Sequence, residues 1–285
     1  MRYHVNGDLV DRAKATVSVE DRGFQYGDAA FETLRAYGGT VFEWDAHRDR
    51  LARTCETLGM ADAVPADLRD RVAETLAAND LADAYVRVSV TRGVQAGKLT
   101  PAEAVDPGVV VVVKPLPRGG VDGESVWDEG ASVRTVETRR IPDAAFPSDA
   151  KTHNYLDGVL ARLELRGSDA DECLVRDVEG AVAEGATSNV FFVADGTLRT
   201  PSLDGPVLPG VTRAVVLDLA REAGVPVETG RYSVGDVRSA DEAFLTNTTW
   251  EVRPVATLDG AAVGGGPVTD RLARAFDRRV ERLYR

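Results

Sequence analysis

The side chains able to do chemistry in this 285-residue chain are few, and the scarcest are the lysines. Of 34 basic residues, Lys14, Lys98, Lys114 and Lys151 are the only lysines, which leaves thirty arginines. A desolvated lysine amine adds to carbonyl carbons and carries protons. Lys14, Lys98 and Lys114 lie in or next to loops and read as surface residues. Lys151 stands between the loop IPDAAFPSDA and a segment where Leu156, Val159, Leu160 and Leu163 recur at helical spacing. A lysine beside an apolar stripe is ordinarily a snorkelling surface residue, so position alone assigns it no role. In YVRVSVTRG, alternation places Tyr85, Arg87, Ser89 and Thr91 on one face and Val86, Val88 and Val90 on the other. That polar face suits either solvent or an anionic ligand. LPGVTR offers a turn into a helix N-terminus, whose amides at Val211 and Thr212 favour an anion, a signal shared by many glycine-led helices.

Other chemistries find little support. Cys55 and Cys173 are too few for a disulfide framework and have no zinc-type spacing, so both read as buried free thiols. His4, His47 and His153 are scattered singly, which disfavours a clustered metal site. A net charge of -12, with dispersed acidic residues, argues against nucleic acid as a partner. It also suggests, with the arginine excess, a halophilic or high-GC source. No apolar run of eighteen residues appears, and MRYHVNGDLV lacks the zones of a signal peptide, so a soluble protein of the cytoplasm, without a membrane partner, is expected.

The elements that must position these residues mix strand and helix. YHVNGDLV reads as a hairpin on Asn6-Gly7, and FETLRAYGGTVF repeats the pattern around Gly38-Gly39. DAHRDRLARTCETLG predicts a helix over 45–58 with Asp45 as cap and Gly59 as stop. A second helix follows near 66–79. GVVVVVKP reads as a continuously buried strand, and PLPRGGVDG after it as a boundary. The second half mixes strands (SVRTVE, ECLVRD, SNVFFVA, EAFLTN) with helices at about 154–166, 211–223 and 267–283, without a βαβ rhythm. The expectation is an α+β protein with a small lobe over 1–115, a linker over 116–122 and a larger lobe over 123–285.

KTHNYLDGVLARLELR, EGAVAEGATSNVFFV and VLPGVTRAVV, in that order, resemble three successive signatures of the class IV aminotransferase family, pyridoxal-phosphate fold type IV. DRGFQYGDAAFETLR and HRDRL in the first half and FLTNTTWEVRPV near the end extend the resemblance over nearly the whole chain. It implies a two-lobed fold with pyridoxal 5'-phosphate between the lobes. Lys151 would then hold the cofactor's aldehyde as an imine and, once displaced, shuttle the proton at the substrate's alpha carbon. The resemblance assigns Glu184 to the pyridine nitrogen, Tyr155 to the ring oxygen, and Arg50, Val211, Thr212 and Thr248 to the phosphate, with Arg48 as a solvated neighbour. Tyr26, Phe31 and Arg35 match positions lining the substrate pocket of branched-chain enzymes. Members usually form homodimers.

Three activities share this cofactor site. Tyr85-x-Arg87 is similar to the Y-x-R strand of branched-chain aminotransferases, whereas Arg92 falls where D-amino acid aminotransferases place a carboxylate-binding arginine. Asn247 resembles the loop asparagine of 4-amino-4-deoxychorismate lyase, which releases pyruvate and needs no amino acceptor. Transamination between an amino acid, of branched-chain type, and a 2-keto acid is the first reading and the lyase the second. A D-amino acid aminotransferase and a non-catalytic binding protein on the same fold complete the alternatives.

Overall fold

The computed structural model describes residues 1–120 and 124–284 and divides the chain into two compact units. The first comprises Met1–Glu124, Ala150–Asn154 and the chain end from Leu283. Its elements are β1 (Arg2–Val5), β2 (Asp8–Asp11), α1 (Arg22–Tyr26), β3 (Ala29–Tyr37), β4 (Thr40–Val41), α2 (Trp44–Thr57), α3 (Leu68–Ala77), β5 (Ala84–Thr91) and β6 (Gly108–Pro115). The strands form one antiparallel sheet in the order β2-β1-β6-β5-β3-β4. Asn6 and Gly7 take φ of 50° and 100°, the left-handed geometry a two-residue hairpin turn needs.

Alternation decides what this sheet buries. Val86, Val88 and Val90 of β5 and Val109, Val111 and Val113 of β6 pack in one core with Leu51 and Cys55 of α2 and Leu68, Val72 and Leu76 of α3. The intervening Val110 and Val112 are only half-buried, so β6 is buried on one face, not continuously as its composition suggests. In α2 the start also differs from expectation. Glu43 is the N-cap residue, in left-handed conformation without a side-chain cap, and Asp45 lies inside the first turn, where its charge still complements the helix dipole. Gly59, at φ 67°, follows the helix end as expected.

Residues 150–154, expected in the second lobe, belong to the first unit because they pair with β3. Ala30 bridges Thr152, the Phe31 N–H donates to the Lys151 carbonyl at 2.9 Å, and the His153 N–H donates to the Ala29 carbonyl at 2.9 Å. The division falls after Glu124, beyond the expected linker, of which residues 121 and 122 lie outside the described residues.

The second unit, Ser125–Asp149 and Tyr155–Arg282, contains β7 (Ala131–Arg139), α4 (Leu156–Leu163), β8 (Glu172–Arg176), β9 (Val182–Gly185), β10 (Asn189–Ala194), β11 (Thr197–Pro201), α5 (Val211–Glu222), β12 (Val227–Gly230), α6 (Val234–Arg238), β13 (Glu242–Asn247), β14 (Glu251–Leu258), β15 (Ala261–Ala262) and most of α7 (Pro267–Tyr284). The mixed sheet runs β12-β11-β10-β13-β14-β7-β8-β9, with β15 on β14. Phe191 stacks on Phe244 at 5.0 Å, and Phe192 meets Tyr232 edge-on at 4.9 Å. Such pairs add about 0.5–1.5 kcal/mol beyond their burial. The α4 helix is shorter than expected, and its stripe of Leu156, Val159, Leu160 and Leu163 faces outward at 68, 51, 47 and 38 % exposure, while Ala161 is buried. Among the described residues no helix is long and apolar enough to cross a membrane.

Candidate active site

In the first unit, Lys151 is built into the edge of β3. Its N–H donates to Thr54 Oγ1 at 3.0 Å, and its Nζ lies 4.5 Å from the centroid of the Phe31 ring. The same ring carries the Arg87 guanidinium at 3.9 Å, so the two cations stand within about 8 Å of one another. Phe31 and Arg87 come to one place because β3 and β5 pair with Phe31 opposite Ser89 and Thr33 opposite Arg87. Diagonal neighbours on one sheet face lie within reach of long side chains.

On the opposite face of β3 from Phe31, Glu32, 1 % exposed, accepts two hydrogen bonds from Arg50, Nε to Oε1 and Nη2 to Oε2, each 2.7 Å. His47 Nδ1 lies 2.7 Å from the same Oε2. Burial opposes the Glu32 charge, yet Arg50 and then His47 hold its carboxyl at about 2. Burial likewise pushes His47 below its ordinary range, against the pull of Glu32 and with help from the Arg50 and Lys151 charges. Arg48 is solvated beside Asp49.

The three candidate carboxylate readers differ sharply in what they already hold. Arg92, 5 % exposed, spends its fork on Asp28 at 2.7 and 3.1 Å and on the carbonyls of Gly59 and Leu58. Asp28 is shared with Arg22 at 2.9 Å; burial opposes its charge, but Arg92 and then Arg22 hold it below the usual range. Arg35, 3 % exposed, donates to the carbonyls of Leu116 and Pro117 and lies over Tyr37. Arg87 makes no side-chain hydrogen bond or ion pair among the described residues. Beside it His153 meets Ser89 Oγ at 3.1 Å and the edge of Phe31 at 5.7 Å. Burial, then Arg87, push the His153 pKa down to about 4. Tyr85 is half-buried on the Arg87 face of β5 under Lys114 at 5.9 Å, and Tyr26 is exposed at the end of α1 under Arg22 at 4.9 Å.

The second unit gathers a separate set. Glu184 lies in β9 with its carboxylate fixed from three sides: Arg140 Nε at 3.2 Å from Oε1, and Asn189 Nδ2 and the Leu208 N–H at 3.2 and 3.1 Å from Oε2. Arg140 also pairs with Asp157 at 2.5 Å. Burial works to lower the Arg140 pKa, but Glu184, Asp157 and then Tyr155, the N-cap residue of α4, carry it above its ordinary value. From Leu208 the chain turns into α5, where Gly210 is the N-cap without any side-chain cap, leaving the first amides, at Val211 and Thr212, to outside acceptors. A Cβ on Gly210 would come within 2.0 Å of Asn189 Oδ1, so only glycine permits this close approach. Thr248 lies in the turn after β13. Asn247 holds that turn: its Oδ1 accepts the N–H groups of Thr249 and Trp250 at 3.0 and 2.7 Å, and its Nδ2 donates to the Thr187 carbonyl at 3.3 Å.

Glu32, Thr54, Arg140 and Asn189 were given no role by sequence reasoning. Glu32, His47 and Arg50 are fifteen and eighteen residues apart and follow no period, and Arg140 is one arginine among thirty. Each unit by itself carries groups of the kind a phosphorylated pyridine aldehyde needs: in the first an amine over an aromatic wall, in the second an oriented carboxylate and an uncapped helix start that favours an anion.

Residues 29–258 match the family described as Amino-transferase class IV. A putative branched-chain-amino-acid aminotransferase of Methanocaldococcus jannaschii is 36% identical over 97% of this chain and 95% of its own length. A D-alanine aminotransferase of Listeria monocytogenes is 33% identical over 99% and 97%. Among solved structures, a branched-chain amino acid aminotransferase from T.th. with pyridoxamine 5'-phosphate superposes with a TM-score of 0.90 at 30% identity, covering 98% of this chain and 93% of that one. The 4-amino-4-deoxychorismate lyase from Pseudomonas aeruginosa gives 0.81 at 33% identity over 99% and 100%. The chain therefore belongs to the class IV aminotransferase family, as a fold type IV enzyme whose cofactor is pyridoxal 5'-phosphate.

Proposed function

We propose that this enzyme transfers the amino group of L-amino acids with branched apolar side chains to 2-keto acids. The observation that carries this reading is the shared Phe31 ring, with the Lys151 amine on it at 4.5 Å and the otherwise uncommitted Arg87 guanidinium at 3.9 Å. A substrate whose amino group takes the place of the Lys151 amine has a carboxylate within reach of Arg87 and an apolar wall in Phe31. The family resemblance adds Tyr26 and Tyr85 to the lining of that pocket. Arg92 and Arg35 hold the fold, which weighs against the D-amino acid reading that rests on Arg92. Asn247 spends its side-chain amide on its own turn and on the Thr187 carbonyl, which weighs against the lyase reading that rests on it.

Bound pyridoxal phosphate supplies an electron sink for the charge left when the substrate's alpha proton departs. Lys151 Nζ holds the cofactor and moves that proton. Glu184, oriented by Arg140, Asn189 and Leu208, would keep the pyridine nitrogen protonated, and Tyr155 would serve the ring oxygen. The family resemblance assigns the phosphate to Arg50, Thr248 and the amides of Val211 and Thr212, which would favour it as an anion. The net charge of -12 supports a halophilic source, and the outward apolar stripe of α4 supports a homodimer, which sedimentation in high salt tests; the cytoplasm is its proposed compartment.

Lys151→Ala should lose both the yellow chromophore and turnover. Mixing wild-type enzyme with leucine or glutamate should shift the cofactor spectrum to the pyridoxamine form, and D-alanine should not. Failure with every amine, together with pyruvate release from aminodeoxychorismate, would establish the lyase instead.

A further inference from the structure

We infer that Thr54 is a positioning residue for Lys151, its hydroxyl being the joint that sets the lysine's main chain at a defined spacing from Arg50. Thr54 lies one turn beyond Arg50 in α2 and is 1 % exposed. Its Oγ1 donates to the Arg50 carbonyl at 3.0 Å, which fixes the hydroxyl proton and turns the oxygen's remaining lone pairs outward. One of them accepts the Lys151 N–H at 3.0 Å. On its C-terminal side the lysine is held by β3, through the Lys151 carbonyl and the Ala30–Thr152 bridge. On its N-terminal side the chain arrives through the turns of 142–149, and the Thr54 hydroxyl receives the lysine's own amide.

The inference rests on the reading in which Lys151 and Arg50 grip the two ends of one rigid cofactor. A rigid molecule held at both ends requires its two anchors to keep their separation, and misplacement by about 1 Å costs roughly a hundredfold in rate. A helical threonine bonded to the carbonyl four residues back is often no more than a local back-bond. Here the same oxygen also reaches 97 residues along the chain to the anchoring lysine.

Thr54→Val keeps the volume and removes the hydroxyl, while Thr54→Ser keeps the hydroxyl. In the cofactor-free Val variant the Lys151 amide should exchange with solvent roughly ten- to a hundredfold faster, with β5 amides unchanged. Pyridoxal phosphate should bind roughly tenfold more weakly and kcat should fall by a similar factor with KM within about twofold. Thr54→Ser should restore all three. If the Val variant fails to fold, Thr54→Ala carries the same comparison. Unchanged Lys151 exchange and cofactor affinity without the hydroxyl, or a Ser variant as impaired as Val, would overturn the inference. A yellow Lys151→Ala enzyme would instead overturn the underlying reading.

Discussion

Replacing Glu32 by Gln probes the deepest charge in the first unit. The variant keeps the shape but removes the anion that takes both arms of Arg50, and its amide NH₂ turns a donor toward a donor. The gap between an ordinary carboxyl at 4.5 and about 2 in the fold corresponds to about 3 kcal/mol, at roughly 1.4 kcal/mol per pH unit. Breaking a buried pair from one side costs about 3–5 kcal/mol, so two independent routes agree. Because the folded pKa is depressed, this stability is complete above about 4.5 and is lost as pH falls through about 2. The assay is the opening free energy of the slowest β3 and β5 amides, measured by hydrogen exchange between pH 7 and pH 3. Wild type should exceed Glu32→Gln by about 3 kcal/mol at pH 7 and by about 1–1.5 kcal/mol near pH 3. A difference under about 1 kcal/mol at neutral pH, or one that does not shrink with acid, would refute the ionised Glu32–Arg50 pair.

His153 should stay neutral down to about pH 4 in an NMR titration, and Arg87→Met should raise its midpoint toward the ordinary 6.5; an unmoved midpoint would mean that Arg87 does not act on the ring. Since the unfolded chain takes up this proton first, His153 subtracts stability as pH falls from 6.5 toward 4, and His153→Leu should flatten that part of the profile. Burial, then Glu56 at one and Glu172 at the other, push the thiols of Cys55 and Cys173 up to about 12, so neither should react with a disulfide reagent at pH 8 before unfolding and both should react after it. A thiol titrated in the native enzyme would contradict that burial.

What could be read from the chain and what could not divide along a physical line. Motifs contiguous in sequence, such as KTHNYLDG or LPGVTR, carry their geometry locally, as do the Asn6-Gly7 turn and the β5 alternation, and with them the α+β fold of the family was legible. Alternation correctly separated Arg87 from the valines that enter the core. It had no means of ranking Arg87 against Arg35 and Arg92, because the acceptors that occupy those two are carbonyls and a carboxylate 33 to 82 residues away. The α4 stripe shows the converse: helical spacing identified its apolar face but not whether this chain covers it. Charge and periodicity are local properties, whereas commitment is a property of the fold. An arginine whose nitrogens are all committed, as those of Arg92 are to Asp28, Gly59 and Leu58, would have to break a buried pair to take a ligand, at about 3–5 kcal/mol. Arg87 has no such pair to break among the described residues, so a carboxylate arriving beside Lys151 meets a cation resting on the Phe31 face, and the cost of selecting it is correspondingly small.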